Sequence, residues 1–374
     1  MNKIGELRDK LDNLDQHIMK VISDRQDILN EIAQYKIETA HPLFDREREK
    51  KVFEKARNNA ITAGLDPDFG ERLMQVIVEA SHNYQEKILH IHKSNKSKHH
   101  RFLIVGGNGG MGKLFHKLFV SCGHNVEISD IEDNAEQRHK KVAEADIIIL
   151  AVNMKNACEV AKDLCPHVRE NALLMDINSL KTDICKVLTN CPGEALGTHP
   201  MFGPTTSSLR RQKMVLCPIK PGPLSEWITN EFGHLGLELI QAEPDTHDKI
   251  MSIIQVLVHF KTLSMGYALS QCGVSIDETL KYTSPIYQLE LTVIGRLFAQ
   301  RPELYAEIEM SNPHGDFIRQ ILIKSITHLE KTINSNDKET FNDLFASIAE
   351  YFSGFQEKAL ESSDKLIEHL ISQP

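Results

Sequence analysis

The feature that most constrains the fold is a glycine-rich turn between an apolar segment and a helix-forming one. Residues 102–115, FLIVGGNGGMGKLF, have the spacing G-x-G-x-x-G at Gly107, Gly109 and Gly112. In a strand–turn–helix unit the first glycine makes the turn, the second lets backbone approach a pyrophosphate, and the third lets the helix pack closely. The spacing alone is weak evidence, but the apolar run before it and the amphipathic stretch 110–121 after it predict a dinucleotide site.

The cofactor predicted at this turn is NAD. The start of the helix, at Gly110 and Met111, offers partial positive charge and backbone N–H groups to phosphates. Asp130 ends the next predicted strand, 23 residues after Gly107. A carboxylate there suits ribose hydroxyls and would repel a 2′-phosphate, which favours NAD over NADP. The alternative for Asp130 is a turn residue at the end of a strand.

Strand-like and helix-like segments alternate after residue 100, which predicts a doubly wound parallel sheet. The predicted strands are RFLIVGG, NVEISD, ADIIILAV, ALLMDIN and EALGTHP, with KMVLCP and LELIQ near one edge. A chain of 374 residues is too long for one compact core. We predict a multidomain chain: an all-α bundle (1–92), a linker (93–100), a Rossmann-like α/β NAD-binding domain (101–242) and an all-α dimerisation and substrate domain (243–374).

The N-terminal segment is predicted to form three helices. Apolar residues between 4 and 38 recur close to a heptad spacing, which predicts one long helix that Pro42 ends. Asp45 can cap a second helix over 46–62, and a third runs to about residue 92. Because such a thin bundle has little hydrophobic core of its own, we expect it to dimerise.

Composition excludes several classes of protein. The formal net charge of −9 disfavours a broad nucleic-acid surface. No segment approaches the roughly 20 apolar residues of a membrane helix, and the charged N-terminus has no apolar signal core. The seven cysteines form no C-x-x-C pair, so we expect reduced thiols in a cytoplasmic protein. The linker histidines lack carboxylate neighbours, and we predict no metal site.

One histidine is held in an unusually rigid segment, LGTHPMFGP, directly after a predicted buried strand. Gly197 and Gly203 let the chain bend, and Pro200 and Pro204 fix φ. Rigidly positioned loop residues often have a function, so His199 is a candidate active-site residue. The alternative is a rigid loop with an incidental histidine.

Three cations are spaced along the first helix. Arg25 and Lys36 return to nearly the same face, about 17 Å apart, where they can bracket a small dianion. Arg8 lies about 26 Å before Arg25 and roughly 100° around the helix, so a partner subunit must supply it if it takes part. The alternative is a solvated charged face.

These positions match the all-helical chorismate mutases, which the N-terminal segment resembles through LRDKLDNLD, SDRQDI, AQYK, FDREREK and EASHNYQ. The resemblance implies a site at Arg8, Arg25, Lys36, Asp45, Arg48, Glu49, Ser81 and Gln85. Arg8 and Arg25 would bind the two carboxylates of chorismate. Lys36 and Gln85 would bind its ether oxygen. Arg48 and Glu49 would lie near the substrate, with Glu49 on its hydroxyl.

This set of side chains suits a Claisen rearrangement, which needs no nucleophile and no acid–base relay. The reaction needs a compact substrate conformer and positive charge directed at the oxygen that becomes negative. Cations and polar donors without a catalytic triad are therefore the expected side chains.

Residues from about 100 to 374 resemble prephenate dehydrogenase through LGTHPMFGP, DINSLK, THDKIMSIIQVLVHF and SPIYQLELTVIGRLFAQRPELYAEI. The whole chain resembles the bifunctional chorismate mutase–prephenate dehydrogenases of tyrosine biosynthesis, which are both isomerases and oxidoreductases. The resemblance implies that chorismate is rearranged to prephenate. NAD then oxidatively decarboxylates prephenate to 4-hydroxyphenylpyruvate, CO₂ and NADH.

The implied dehydrogenase residues are Ser179, His199, His247, His259 and Arg296. His199 would take the proton of the ring hydroxyl, because the pKa of imidazole lies near neutrality. Ser179 would orient that hydroxyl, and Arg296 would bind a carboxylate bidentately. We assign His259 to a polar contact with the substrate. We assign His247 to supporting the other residues of the site. Ordinary interior or surface histidines, and a salt bridge for Arg296, are the alternatives.

Two positions of this domain have less certain roles. Gln288 stands where some relatives have an arginine, so Arg296 is expected to provide more of the anchoring. Lys181 is expected at most to neutralise a cofactor phosphate.

Two other functions remain open at this stage: an arogenate-specific dehydrogenase, and a dehydrogenase with a non-catalytic regulatory bundle. The fused mutase argues against the first, because it makes prephenate. Lys36 and Gln85 argue against the second, because a sensor could dispense with groups directed at the ether oxygen. We expect a homodimer with chorismate and prephenate as ligands and neither nucleic acid nor membrane as partner. The family resemblance also favours tyrosine as a feedback inhibitor.

Overall fold

A computed structural model of the chain describes residues 3–39, 46–96 and 99–371. Its N-terminal part is three helices: α1 (Lys3–Glu38), α2 (Arg46–Thr62) and α3 (Pro67–Lys96). The helix α3 continues into the segment predicted as a linker, because residues 90–96 contain neither Gly nor Pro to end it. Asp45, the predicted cap of α2, lies outside the described residues.

The long helix α1 leaves its apolar seam uncovered in the single chain. Leu11 and Leu14 are 59 % and 60 % exposed, and Leu7 and Ile18 are exposed by more than half. Such a continuous apolar stripe on a 36-residue helix is typical of a surface that a partner covers. This observation supports the expected dimerisation of the bundle.

The central part contains a seven-stranded sheet in the order β2-β1-β3-β4-β5-β6-β7. The strands are β1 (Arg101–Val105), β2 (Asn125–Ser129), β3 (Ile147–Leu150), β4 (Leu173–Asp176), β5 (Glu194–Pro200), β6 (Lys213–Lys220) and β7 (Glu238–Gln241). The helices are α4 (Gly110–Ser121), α5 (Ala135–Glu144), α6 (Met154–Leu164), α7 (Thr182–Leu188) and α8 (Pro223–His234). All seven predicted strands are present.

The sheet departs from the predicted parallel arrangement at one edge. β1 to β5 are parallel, but β6 runs antiparallel to β5, and β7 pairs parallel to β6. The cause is the connection over residues 201–212, which contains no helix. Without a crossover helix the chain returns beside β5 in the opposite direction.

The sheet register aligns the carboxyl ends of the five parallel strands. One row runs Ser129, Val105, Leu150, Asp176, Gly197 across β2, β1, β3, β4 and β5. Alternate residues of each strand pack into apolar clusters on the two faces of the sheet. The segments that follow this row therefore meet at one edge, where ligands bind in sheets of this kind.

The C-terminal part is helical, as predicted. It consists of α9 (Pro244–Met251), a π-helical turn (Ser252–Leu257), α10 (Val258–Gln271), α11 (Ile276–Leu280), α12 (Pro285–Phe298), α13 (Pro302–Ser311), α14 (Gly315–Asn334), α15 (Lys338–Tyr351) and α16 (Gln356–Ile371). Neither α15 nor α16 has a buried residue, and Phe345 on α15 is 67 % exposed. As in α1, this leaves an apolar surface that fits a subunit contact. No helix within the described ranges is long and apolar enough to cross a membrane.

The individual glycines of the turn have different roles from those predicted. The residue with positive φ is Gly106 (+84°), not Gly107. A Cβ on Gly107 would lie 2.5 Å from Cγ2 of Ile128 on β2, so Gly107 is required by the close approach of that strand. A Cβ on Gly112 would lie 2.5 Å from the carbonyl oxygen of Gly106. Gly112 therefore lets α4 begin directly against the turn.

We expect Gly112→Ala to destabilise the NAD-binding domain by about 2 kcal/mol, because the obstructing atoms belong to the backbone and cannot move aside cheaply. Thermal unfolding should then show a loss of about 5 °C. The matched control is Gly233→Ala near the end of α8, where the nearest atom would lie 3.9 Å from the new Cβ. Equal melting temperatures for the two variants would contradict this account of the turn.

Candidate functional site

The predicted cofactor residues lie together at the carboxyl edge of the sheet. Asp130 follows β2, and its Oδ2 accepts a hydrogen bond from the backbone N–H of Asn108 in the glycine turn at 2.8 Å. A Cβ on Gly109 would meet only the carbonyl oxygen of Gly106, at 3.3 Å, so its outer side is open. A carboxylate beside an open turn at the start of a helix fits the ribose and pyrophosphate of NAD.

The rigid segment after β5 closes over the start of α4. A Cβ on Gly110 would lie 3.0 Å from Cγ of Pro204, so proline packs directly against the first residue of the helix. His199, near the end of β5, is only 3 % exposed. His199 is thus a residue of β5 itself and not of a loop after it, and pairing with Val215 on β6 positions it at the same sheet edge as the cofactor turn.

His199 belongs to a hydrogen-bonded line of three side chains. Its Nδ1 lies 2.9 Å from Nε2 of His247 on α9. The Nδ1 of His247 lies 2.8 Å from Oδ1 of Asp248. Asp248 also accepts hydrogen bonds from the backbone N–H groups of Lys181 and Thr182, each at 2.8 Å. The line joins the α/β domain to the first helix of the C-terminal domain.

The carboxylate of Asp248 determines which nitrogen of each ring bears the proton. Burial alone would raise the pKa of Asp248, but hydrogen bonds from His247, Thr182 and the backbone of Lys181 outweigh it and lower that pKa. An ionised Asp248 can only accept, so Nδ1 of His247 is the donor and its Nε2 is bare. That nitrogen accepts from Nδ1 of His199, which leaves Nε2 of His199 unprotonated and able to accept.

His199 is neutral in this setting. Burial is the main cause that holds the pKa of His199 well below its ordinary value; the neighbouring His247 and Lys181 act in the same direction, and Asp248 only partly opposes them. A neutral imidazole with a bare Nε2 is the form that can accept a proton.

Lys181 does not fulfil the expected role of neutralising a cofactor phosphate. Its side chain is completely buried, and Nζ donates to Asp176 and, at 2.7 Å, to the carbonyl oxygen of Thr198. The ammonium group thereby fastens the end of β4 to β5 one residue before His199. Ser179 lies half-buried in the same segment between β4 and α7.

Gln255 is a further residue at this site that the sequence did not indicate. Its Nε2 lies 3.5 Å from Nε2 of His199, and it belongs to the π-helical turn between α9 and α10. Turns of this kind inside α-helices occur frequently at functional sites. The only signal in the sequence was a polar residue within the apolar run IIQVLV.

A second group lies within the C-terminal domain. The ring centroids of His259 and Tyr305 are 5.0 Å apart and nearly perpendicular, and burial lowers the pKa of His259. Burial raises the pKa of Tyr305, and the charge of Arg296 opposes that shift, which places the guanidinium of Arg296 near Tyr305. Arg296 is exposed on α12. The structure thus groups His199 with His247 and Gln255, and His259 with Tyr305.

In the N-terminal bundle, two predicted residues are in direct contact. Arg25 on α1 donates from Nη1 to Oγ of Ser81 on α3 at 2.5 Å, and burial lowers the pKa of Arg25. Lys36 is half-buried further along α1, whereas Arg8 is exposed. The side chain of Gln85 lies outside the part of the chain that the structure describes.

Glu49 has partners that the sequence did not predict. Its Oε1 accepts from Nη2 of Arg210 at 2.7 Å, and its Oε2 lies 3.4 Å from Nη2 of Arg211. Both arginines belong to the connection between β5 and β6. Arg48, the neighbouring predicted residue, is exposed on α2.

We expect Lys181→Met to destabilise the chain by about 3–5 kcal/mol, because removal of one partner leaves the other charge, on Asp176, buried and uncompensated. Thermal unfolding should show a large loss. The control is Lys186→Met, whose exposed ion pair with Asp183 contributes little. If both variants melt alike, Lys181 does not hold the two strands together.

Three family models match consecutive parts of the chain. They are chorismate mutase type II over residues 7–86, the nucleotide-binding domain of prephenate dehydrogenase over 121–229, and its dimerization domain over 243–347. Their order is the order of the helical bundle, the sheet domain and the C-terminal helices.

Relatives of known name extend over the same regions. The T-protein of Haemophilus influenzae is 31 % identical over 369 residues, 98 % of this chain and 97 % of its own. A probable arogenate/prephenate dehydrogenase of Methanocaldococcus jannaschii is 35 % identical over 289 residues, 72 % of this chain and 65 % of its own. Crystalline prephenate dehydrogenase from A. aeolicus, in complex with hydroxyphenyl propionate and NAD+, shares the fold with a TM-score of 0.55 and 21 % identity, over 71 % of this chain and 99 % of that one.

These matches confirm the predicted architecture: a helical mutase domain, a Rossmann-like NAD-binding domain and a helical C-terminal domain. They also confirm NAD as the cofactor and both isomerase and oxidoreductase activities. Because a T-protein matches nearly the full length at 31 % identity, the chain belongs to the T-protein family, in which a chorismate mutase is joined to a prephenate dehydrogenase of tyrosine biosynthesis.

Proposed function

We propose that the chain makes prephenate in its first domain (1–92). Prephenate is then oxidised at the sheet edge where the second domain (101–242) meets the third (243–374). Residues 93–100 connect the first domain to the second. The observation that supports the oxidation most directly is the line from Asp248 through His247 to His199. It presents a proton acceptor on the sheet edge where the cofactor turn lies.

Bound NAD supplies the hydride acceptor for the ring carbon that bears the hydroxyl. The chain's own part is to take the hydroxyl proton at Nε2 of His199 and to hold the resulting positive charge. That charge is stabilised through His247 by the ionised carboxylate of Asp248. Loss of CO₂ then makes the ring aromatic, and no metal is needed in this account.

Substrate orientation is assigned to the residues around His199. Gln255, beside Nε2 of His199, is placed to hydrogen-bond the ring hydroxyl, and Ser179 follows the neighbouring strand. Arg296, near Tyr305 and His259, would bind a carboxylate of prephenate as a charge-assisted pair. We propose prephenate rather than arogenate as substrate, because the fused mutase produces prephenate.

In the mutase, Arg25 is held by Ser81 across two helices, which fixes one cation in advance of substrate binding. Lys36 and Gln85 would stabilise the charge on the ether oxygen as the bond breaks. Arg8 is exposed and too far along α1 to join Arg25 in one subunit, so we propose that the partner subunit supplies it.

The assembly we propose is a homodimer, supported by the uncovered seam of α1, the uncovered α15 and α16, and the matched dimerization domain. We further propose a cytoplasmic enzyme, supported by seven free cysteines. Tyrosine as feedback inhibitor is proposed from the family resemblance.

The direct test is to assay both reactions on one purified chain. Chorismate should disappear without cofactor, and NADH should form with prephenate much faster than with arogenate. Oxidation of arogenate at an equal or higher rate would instead make the enzyme an arogenate dehydrogenase.

We expect His199→Asn to lower the dehydrogenase turnover number by about 10²- to 10⁴-fold, since proton transfer by a positioned base contributes that much. Mutase activity should be unchanged. His234→Asn, an exposed histidine at the end of α8, is the control. An unchanged turnover number in His199→Asn would remove this residue from the mechanism.

We expect Arg25→Ala to abolish mutase activity, because chorismate then loses a fixed cation for one carboxylate. NADH formation from prephenate should persist at the wild-type rate. The control is Arg72→Ala, exposed on α3, which should retain both activities. Loss of both activities in Arg25→Ala would indicate one shared site rather than two.

A further inference from the structure

The ion pair between Glu49 and Arg210 joins the mutase domain to the NAD-binding domain. The side chains of Glu49 and Arg210 are only 14 % and 16 % exposed, whereas Arg211 is 55 % exposed. Because the Glu49–Arg210 pair is largely shielded from water, its attraction is screened far less than that of a surface pair. Arg210 is therefore the principal partner and Arg211 the secondary one.

The two arginines are fixed by their own domain before they meet Glu49. The backbone N–H of Arg211 donates to the carbonyl oxygen of Gly236 at 2.8 Å, and that of Arg210 donates to Oγ of Ser208 at 3.1 Å. Arg211 adopts φ +61°, a conformation that non-glycine residues keep only when their surroundings enforce it. A Cβ on Gly236 would lie 3.2 Å from Cα of Arg210, so that turn packs against the pair.

The same connection contacts the cofactor turn. Residues 201–212 begin directly after β5, and Pro204 packs on Gly110 at the start of α4. Arg210 and Arg211 stand near its other end. At the junction Glu49, Lys50, Phe53 and Arg211 line a cavity of about 330 Å³. One rigid segment thus lies against the cofactor turn and against the first turns of α2.

We propose that Arg210, a residue of the NAD-binding domain, is a positioning residue of the mutase reaction. This inference rests on the proposed mutase function, with Glu49 accepting a hydrogen bond from the hydroxyl of chorismate as the family resemblance implies. The guanidinium fixes the direction of the Glu49 carboxylate. A carboxylate can accept about four hydrogen bonds, so the arginine contact is compatible with a further bond from a hydroxyl.

The proposal makes a specific kinetic prediction. The hydroxyl is not a reacting group, so its bond with Glu49 stabilises bound chorismate and the transition state alike, and loss of such binding raises KM rather than lowering kcat. In the full chain, Arg210→Gln should raise the KM for chorismate about tenfold and lower kcat less than threefold. Arg210→Lys, which keeps the charge, should recover most of the loss.

The controls separate positioning from general damage. Lys140→Gln removes an exposed charge from α5 of the same domain and should change neither reaction. Arg210→Gln should leave dehydrogenase kinetics unchanged. In a Glu49→Gln background, Arg210→Gln should cause no additional loss, because residues that act through one interaction are not additive.

Three outcomes would overturn the proposal: an unchanged KM for chorismate in Arg210→Gln, an equal loss of both activities, or a further tenfold loss in the Glu49→Gln background. A wild-type chain that does not rearrange chorismate at all would refute the proposed mutase function instead. The wild-type assay therefore distinguishes the two failures.

Discussion

The dehydrogenase site depends on one buried carboxylate, that of Asp248. Its side chain accepts from His247 and from the backbone of Lys181 and Thr182, and its carbonyl oxygen accepts from Asn312 at 2.9 Å. Because these donors come from the start of α7, from α9 and from the turn before α14, one residue ties the sheet domain to the helical domain. A buried charge with this many donors stays ionised, and an ionised Asp248 sets the tautomers of both histidines.

The sheet and the connection after β5 position the residues of both sites. The sheet register brings the ends of five parallel strands to one edge, and β5 delivers His199 there. The antiparallel return of β6 leaves residues 201–212 as a helix-free connection. That connection covers the cofactor turn with Pro204 and contacts the mutase domain with Arg210. The catalytic groups proposed for both reactions are thus attached to packed elements of the fold.

Local signals predicted much of this arrangement. All seven strands, the helix 110–121 and the position of Asp130 followed from apolar periodicity and glycine spacing, which are properties of neighbouring residues. The positive φ at Gly106 and the direction of β6 were not predicted, because they depend on tertiary packing. Asp248, Gln255 and the partners of Glu49 were missed for a related reason. The contacts of Asp248 with Lys181, of Gln255 with His199 and of Glu49 with Arg211 join residues 56 to 162 positions apart, and no local pattern encodes such pairings. The full length of α3 was missed although its signal, the lack of Gly and Pro in residues 90–96, is local.

The central claim is that Asp248, acting through His247, leaves Nε2 of His199 unprotonated at neutral pH. Nitrogen-15 NMR of the histidine-labelled chain tests it directly, with the His199 signals assigned by their loss in His199→Asn. The account predicts a pyridine-type Nε2 and a pyrrole-type Nδ1 for His199. A protonated Nε2, with the lone pair on Nδ1, would contradict it, because the proposed base would then have no free electron pair facing the substrate.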